Sequence, residues 1–263
     1  MLGRRKLAAL AAEFLGTGAL TLVFLSVQRS TIGVPFFVAM AAGLVAAMLV
    51  TVFGGTSGAH INPAVTLALW TARKIDALRA VLYIAAQMLG AWAAYGLYTY
   101  FVNSSLQPLK STFSGRVLVA EAVGAFVLSL AWATVTFRAN LTSGARAALI
   151  GVGYMLGVVV AAVAGIGIIN PAVAEGIRAW DVFSTAASWG TYVLGPVLGA
   201  IIGINLYGLL FAGDEVVEDY ADPVLEEVET VSVVSAAAVK PLRKVAKKPV
   251  AKKAPAKKRT AKK

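Results

Sequence analysis

An internal duplication limits the folds open to this chain. The tripeptide Asn-Pro-Ala occurs at residues 62–64 and again at residues 170–172. The acidic residues Glu13 and Glu121 are as far apart in sequence as Asn62 and Asn170. We call this shared separation the repeat offset. Each half therefore has one acid inside an apolar segment and one Asn-Pro-Ala after an apolar segment. Two motifs repeated at one offset indicate that the chain consists of two related halves.

Composition places both halves in a membrane. The 263 residues are 59% hydrophobic with a mean hydropathy of +0.77, which is too apolar for a soluble domain of this length. A helix needs about 20 apolar residues to cross the roughly 30 Å hydrocarbon core of a bilayer. Six segments meet this length: Leu7–Val27, Val34–Phe53, Ala80–Val102, Val117–Phe137, Ala147–Gly165 and Trp189–Ala212. With three crossings in each half, the two halves have opposite orientations in the membrane.

Each Asn-Pro-Ala begins a segment that is too short to cross. Asparagine is a favourable N-cap, and proline suits the first helical position because no backbone N–H is needed there. We therefore predict short helices over Asn62–Ala72 and Asn170–Ala179. Because each half has an odd number of crossings, each short helix must enter and leave on the same side. The predicted fold is an all-α membrane protein with six transmembrane helices and two re-entrant half-helices in an inverted internal repeat.

Charge divides the chain into three parts. Residues 1–213, with 12 basic and 5 acidic side chains, form the predicted membrane domain, whose repeat halves span about 7–102 and 117–212. Residues 214–239 carry 8 acidic and no basic side chains and are read as an acidic linker. Residues 240–263 carry 12 basic and no acidic side chains, with Ala-Lys-Lys repeated four times. Such a composition cannot bury a core, so we expect a disordered basic tail.

The distribution of Lys and Arg in short loops predicts the orientation. One side has Arg4, Arg5, Lys6, Arg73, Lys74, Arg79, Arg138 and Arg146, together with the tail. The other side has Arg29, Lys110, Arg116 and Arg178. We therefore expect a multi-pass protein of the cell membrane with both termini in the cytosol.

The residue types present argue against metal and cofactor chemistry. The chain has no cysteine, so disulfides and thiolate metal sites are excluded. Its single histidine is His60, so a metal centre built on histidines is not expected. No nucleophile–base pair stands out in the sequence. We predict that the protein is not an enzyme and that it uses no metal or cofactor.

These motifs resemble the aquaporin, or major intrinsic protein, family over about residues 5–212. The segments that carry the resemblance are residues 12–17, residues 57–66, Gln87 with residues 90–91, residues 120–121, residues 170–172 and residues 195–200. The resemblance implies one pore per subunit, a homotetramer, and a pore lined by both motifs: Asn62, Pro63, Ala64, Asn170, Pro171 and Ala172.

The second motif departs from the family pattern. Val173 stands where the family normally has an arginine that lines the narrowest outer part of the pore. Relative to the two asparagines, the other constriction positions of the family fall on Ala42, Val158 and Gly167. A filter of Ala42, Val158, Gly167 and Val173 would be wide and nearly neutral. We expect it to favour small uncharged solutes over strict water selectivity and to exclude cations less strongly.

Arg178 is an unsuitable replacement for that arginine. It lies five residues beyond Val173, which is about 140° around a helix and roughly 7.5 Å further along it. Its spacing from Glu175 predicts an ion pair instead.

Three polar residues, two inside apolar segments and one in a loop, have both a functional and a structural interpretation. Glu13 and Glu121 could form a proton relay, because acids inside membranes are commonly functional. Their symmetric placement favours a supporting role in which each accepts hydrogen bonds from a half-helix loop. His60 could act as a pH gate, but we interpret it as structural support.

The leading hypothesis is a passive channel for water and small uncharged solutes such as glycerol. One alternative is a proton-coupled transporter that uses Glu13 and Glu121. Another is a membrane-anchored scaffold that acts through its basic tail. That tail is predicted to bind anionic lipid, nucleic acid or the acidic segment of the same chain.

Overall fold

The computed structural model describes residues 3–31, 33–106, 113–179 and 189–212. Within these ranges the chain is helical and has no strand. The predicted acidic linker, 214–239, and basic tail, 240–263, lie outside the described residues.

Six helices are long and apolar enough to cross a membrane, as the sequence predicts. They are α1 (Arg4–Gln28), α2 (Pro35–Ser57), α4 (Ala77–Val102), α5 (Gly115–Phe137), α6 (Ser143–Ala161) and a last span over Gly190–Phe211. That last span begins with a π-helical turn, Gly190–Leu194, and continues as α8 (Gly195–Phe211). Two short helices lie between the spans, α3 (Pro63–Thr71) and α7 (Pro171–Gly176).

Several helix starts are set by side chains that accept backbone N–H groups. Asp76 accepts from the Arg79 N–H at 2.8 Å before α4, and Thr142 accepts from the Ala145 N–H at 3.2 Å before α6. Ser114 accepts from the Val117 N–H at 3.4 Å before α5. These short polar side chains satisfy donors that an uncapped helix would leave unpaired.

Close approach of the backbones holds the two halves together. A Cβ on Gly43 of α2 would lie 2.6 Å from the Gly151 carbonyl oxygen, and one on Gly151 of α6 would lie 2.7 Å from the Gly43 carbonyl oxygen. These glycines are also separated by the repeat offset, so α2 and α6 cross at equivalent positions of the repeat. Small residues permit such contacts between membrane helices.

Each half also packs its first helix against its third. In the first half α1 meets α4, where a Cβ on Gly18 would lie 3.1 Å from the Gly90 carbonyl oxygen. In the second half α5 meets α8, where a Cβ on Gly199 would overlap the Ala122 carbonyl oxygen. The repeat seen in the sequence is therefore present in the helix packing.

Both short helices end earlier than predicted, the second by a larger margin than the first. Arg73 after α3 and Arg178 after α7 have left-handed φ values of 58° and 64°. The N–H of Lys74 then bonds to the Leu69 carbonyl at 2.9 Å, and that of Ala179 to the Ala174 carbonyl at 2.8 Å. This bond pattern is a Schellman motif, which ends a helix with a left-handed residue just past its C-cap.

Candidate functional site: two opposed half-helices

Two buried carboxyl groups hold the loops that precede the half-helices. Glu13 of α1 accepts the N–H groups of His60 at 3.0 Å and Ile61 at 2.7 Å. It also accepts the Ser57 hydroxyl at 2.6 Å and the Gln87 amide at 2.8 Å. Each carboxylate oxygen therefore receives two donors, and Glu13 is completely buried.

The second half repeats this arrangement with fewer donors. Glu121 of α5 accepts the N–H groups of Ile168 at 2.9 Å and Ile169 at 2.6 Å, and it is also completely buried. Gly195, which lies one repeat offset after Gln87, has no side chain to offer. The two acids thus contact equivalent backbone groups, although only Glu13 has side-chain donors among the described residues.

The bonds to these acids fix an unfavourable backbone conformation. Ile61 and Ile169, each just before an Asn-Pro-Ala, have φ values of 45° and 51°. Positive φ is uncommon for β-branched residues, and such strain costs of order 1–3 kcal/mol. The conformation points each isoleucine N–H towards its glutamate and each carbonyl towards the opposite half.

The two asparagines bind both their own half-helix and the facing loop. Oδ1 of Asn62 accepts the Ala64 N–H at 2.9 Å, and Oδ1 of Asn170 accepts the N–H groups of Ala172 at 3.0 Å and Val173 at 3.3 Å. Nδ2 of Asn62 donates to the Ile169 carbonyl at 3.0 Å, and Nδ2 of Asn170 donates to the Ile61 carbonyl at 2.8 Å. The half-helices therefore meet N-terminus to N-terminus, with their prolines and alanines buried behind them.

This meeting point has the electrostatics of an opposed pair of helix N-termini. The first N–H groups of a helix lack helical partners, so helix N-termini carry positive partial charge. Ends of this kind oppose the passage of cations and protons. The amides add N–H donors at the same point, so the arrangement suits hydrogen-bond acceptors without positive charge.

The four predicted filter residues are buried and small or apolar. Ala42, Val158 and Val173 have no exposed surface, and Gly167 is buried too. Gly167 has a φ of 71°, and a Cβ there would lie 2.4 Å from the Val158 carbonyl oxygen, so these two residues are adjacent. Ala42 of α2 precedes the crossing glycine Gly43. Val173 is the third residue of α7. Their role as a filter stays a prediction.

His60 lies among aromatic and hydroxyl groups. Its Nδ1 is 3.2 Å from the Thr66 hydroxyl, and its ring is edge-on to Tyr83 and Trp132, at centroid distances of 5.2 and 5.6 Å. It is 5% exposed. These contacts suit a residue that holds the first loop against α4 and α5, although this role too stays a prediction.

Arg178 follows the end of α7, and its surroundings include aromatic residues of α4. The Arg178 guanidinium lies 5.7 Å from the ring centroid of Tyr95, and Trp92 donates to Oε1 of Glu175 at 2.8 Å. Both aromatic residues belong to α4. The proposed ion pair between Glu175 and Arg178 stays a prediction.

One residue at the centre was missed by the sequence analysis. Tyr154 of α6 is 1% exposed, and its hydroxyl accepts the Asn170 amide at 3.0 Å. It lies four residues before Val158, so the two share a face of α6 one turn apart. That spacing was the available signal, because a residue one turn from a predicted filter position faces the same interior.

Comparison with known proteins places this geometry in a family. A family model described as Major intrinsic protein matches residues 4–207. Aquaporin-5 of Homo sapiens is 34% identical over 215 residues, which cover 76% of this chain and 80% of that protein. Glycerol uptake facilitator protein-like 6 of Lactiplantibacillus plantarum is 34% identical over 201 residues, which cover 73% and 92%.

A solved structure shares the fold. The X-ray structure of the aquaglyceroporin from Plasmodium falciparum matches with a TM-score of 0.64 and covers 78% of this chain and 96% of that one. The sequence identity is 20%, so this similarity concerns the fold alone. It confirms the predicted aquaporin-like architecture. The chain belongs to the major intrinsic protein family, and it is a multi-pass membrane channel rather than an enzyme.

Proposed function

We propose that the protein conducts water and small uncharged solutes such as glycerol through a pore lined by Asn62 and Asn170. The observation that carries the proposal is the reciprocal bonding of the two asparagines. Each amide uses its oxygen to cap a half-helix and one N–H to reach the facing loop. Both amides are thus held rigidly, and Asn62 keeps a second N–H that can be offered to a solute oxygen.

The constriction that we assign to Ala42, Val158, Gly167 and Val173 sets the solute class. These residues offer no charged side chain and no bulky aromatic ring, so this constriction opposes a neutral solute of several carbons less than a charged or aromatic filter would. The names of similar proteins agree with a solute class of water and glycerol, since one is an aquaporin and another a glycerol uptake facilitator.

Reconstitution in liposomes tests the proposal. Vesicle volume is followed by stopped-flow light scattering after an osmotic shock and, in parallel, after a glycerol shock. We expect shrinkage faster than in empty vesicles, followed by rapid reswelling in glycerol. Water flux without reswelling would contradict the wide filter, and neither flux above empty vesicles would contradict the channel.

An Asn62→Asp variant gives this experiment a matched control. Aspartate caps helices as well as asparagine does, so α3 should still form. It removes both N–H donors and places a carboxylate where the amide nitrogen faced the Ile169 carbonyl. Neutral-solute flux should therefore fall while the helical content stays the same.

We further propose that the channel is a homotetramer in the cell membrane with both termini in the cytosol. The orientation rests on the excess of short-loop Lys and Arg on one side. The mass of the purified protein in detergent tests the assembly, and protease access to the tail in sealed vesicles of known orientation tests the topology.

A further inference from the structure

The two pore asparagines, although related by the repeat, do not have the same surroundings. An asparagine amide has two N–H donors. Nδ2 of Asn170 donates both, to the Ile61 carbonyl at 2.8 Å and to the Tyr154 hydroxyl at 3.0 Å. Within the part of the chain that the structure describes, Nδ2 of Asn62 has the Ile169 carbonyl as its one protein acceptor.

The sequence explains this asymmetry. Counting back by the repeat offset from Tyr154 gives Ala46 of α2, which is completely buried but has no polar side-chain atom. The second N–H of Asn62 therefore has no hydroxyl opposite it. At the equivalent position of the second half, tyrosine stands where the first half has a methyl group.

Tyr154 is also the bulkiest of the side chains that are almost fully buried in the described residues. Its hydroxyl accepts from Asn170, and no atom of the described residues accepts the hydroxyl proton. A buried hydroxyl without an acceptor for its proton is unfavourable unless water or another oxygen is present. If Asn62 and Asn170 line the pore as proposed above, a hydroxyl bonded to Asn170 lies beside the path of a solute between them.

We propose that Tyr154 is a specificity-determining residue at the centre of the pore. Its hydroxyl occupies the Asn170 N–H that a passing solute would otherwise use, and its ring narrows that side of the path. The proposal rests on the channel function proposed above. It adds a second constriction about one helical turn, roughly 6 Å, from Val158.

Two substitutions separate the hydroxyl from the ring. Tyr154→Phe keeps the ring and frees the Asn170 N–H, so water permeability should rise roughly two- to tenfold, the range that corresponds to one ordinary hydrogen bond. Tyr154→Ala reproduces the side chain of Ala46 and removes the ring. It should raise glycerol permeability more than water permeability, so the glycerol-to-water ratio should increase.

Tyr207→Phe is the matched control. Tyr207 of α8 is 9% exposed and stacks on Phe137 at a centroid distance of 6.1 Å, and its hydroxyl has no partner among the described residues. Removing that hydroxyl should change neither permeability. All proteins are compared by stopped flow in the same liposomes, at equal reconstituted amounts, with thermal unfolding in detergent as the check of folding.

The permeability ratio makes the test independent of the active fraction, because a partly misfolded protein loses both fluxes in proportion. Suppose that the wild type conducts, that Tyr154→Phe has the same water permeability, and that Tyr154→Ala has the same glycerol-to-water ratio. That result would overturn the assignment of Tyr154 but would still support the channel. A lower water flux in Tyr154→Phe would also overturn it, since the hydroxyl would then assist conduction.

The remaining outcomes address both proposals. If the wild type shows no water or glycerol flux above empty vesicles but Tyr154→Ala does, both the channel and the constriction at Tyr154 would be supported. Folded proteins that all match empty vesicles would overturn both. If Tyr154→Ala does not fold, Tyr154→Phe decides alone, because it removes one oxygen atom and leaves the packing of the ring.

Discussion

At the level of single residues, the centre of the molecule depends on two glutamates that hold two strained isoleucines. Both oxygens of Glu13 and of Glu121 face backbone N–H groups. In a Glu→Gln substitution one oxygen becomes an NH2 group, so a donor must face a backbone donor. The strain at Ile61 or Ile169 then loses part of its compensation.

We therefore predict that Glu13→Gln and Glu121→Gln each lower the free energy of unfolding by about 1–3 kcal/mol, the usual penalty for an unsatisfied buried donor. Asp76→Asn is the control for the same chemical change, because asparagine also caps helices and should leave α4 intact. Thermal unfolding in detergent measures all three. Variants that are fully stable but lose uptake driven by a pH gradient would instead support a proton-coupled transporter.

Val173 is the residue at which charge selectivity can be tested. It is completely buried in α7, and its N–H already donates to Asn170. Val173→Arg would add a fixed positive charge to a neutral constriction, and such charges exclude cations. We predict at least a roughly tenfold fall in both glycerol flux and any cation leak, which corresponds to about 1.4 kcal/mol.

Val173→Met separates charge from size in this experiment, because methionine is long and uncharged. It should lower glycerol flux but leave the cation leak largely as it was. Liposomes loaded with a cation-sensitive dye measure the leak, and stopped flow measures glycerol. An equal loss of leak in both variants would show that size, not charge, sets cation exclusion.

At the level of helices, the crossing of α2 and α6 is set by one glycine from each half. Gly151→Ala would bring a Cβ to 2.7 Å from the Gly43 carbonyl oxygen and 2.7 Å from the Ala47 Cβ, so the two backbones must separate. Overpacking of this kind costs about 1–3 kcal/mol. We predict a lower unfolding temperature for Gly151→Ala.

Gly96→Ala is the control within the same fold. Gly96 lies inside α4, and a Cβ there meets nothing within 4 Å. Alanine is favoured over glycine inside a helix by roughly 0.5–1 kcal/mol, so this variant should unfold at the same or a higher temperature. If the two variants behaved alike, contact at the crossing would not be what holds α2 to α6.

The same level shows which elements can be predicted from sequence. The six spans were predictable because long apolar runs are a local signal. The starts of the half-helices were also predictable, since Asn-Pro fixes an N-cap and a first turn. Their ends were not, because Arg73 and Arg178 take the left-handed position that usually belongs to glycine.

The contacts between side chains on different elements of the site could not be predicted from the sequence. Tyr154 and Asn170 lie on different elements, and their hydrogen bond depends on how α6 packs against the loop before α7. Periodicity indicates which face of α6 is buried, but not which polar atom that face meets. The repeat did provide one indirect signal, since Tyr154 stands at the position equivalent to Ala46.

For the whole molecule, the remaining question is whether the charged C-terminal segment contributes to conduction. Residues 240–263 carry 12 basic side chains, and every residue that we assign to the pore lies between Glu13 and Val173. We predict that deletion of 240–263 leaves water and glycerol permeability per inserted protein unchanged. Attraction of such a segment to anionic lipid is worth about 1 kcal/mol per basic residue near the surface and is screened by salt.

Two liposome compositions make this prediction specific. The full chain should bind vesicles with anionic lipid more tightly at low salt than the truncated chain does, while stopped-flow rates agree in neutral and anionic vesicles. Permeability that falls on truncation, with normal insertion and folding, would mean that the basic segment takes part in conduction. Normal permeability with loss of a cellular phenotype would mean that the membrane domain also serves as an anchor for the tail.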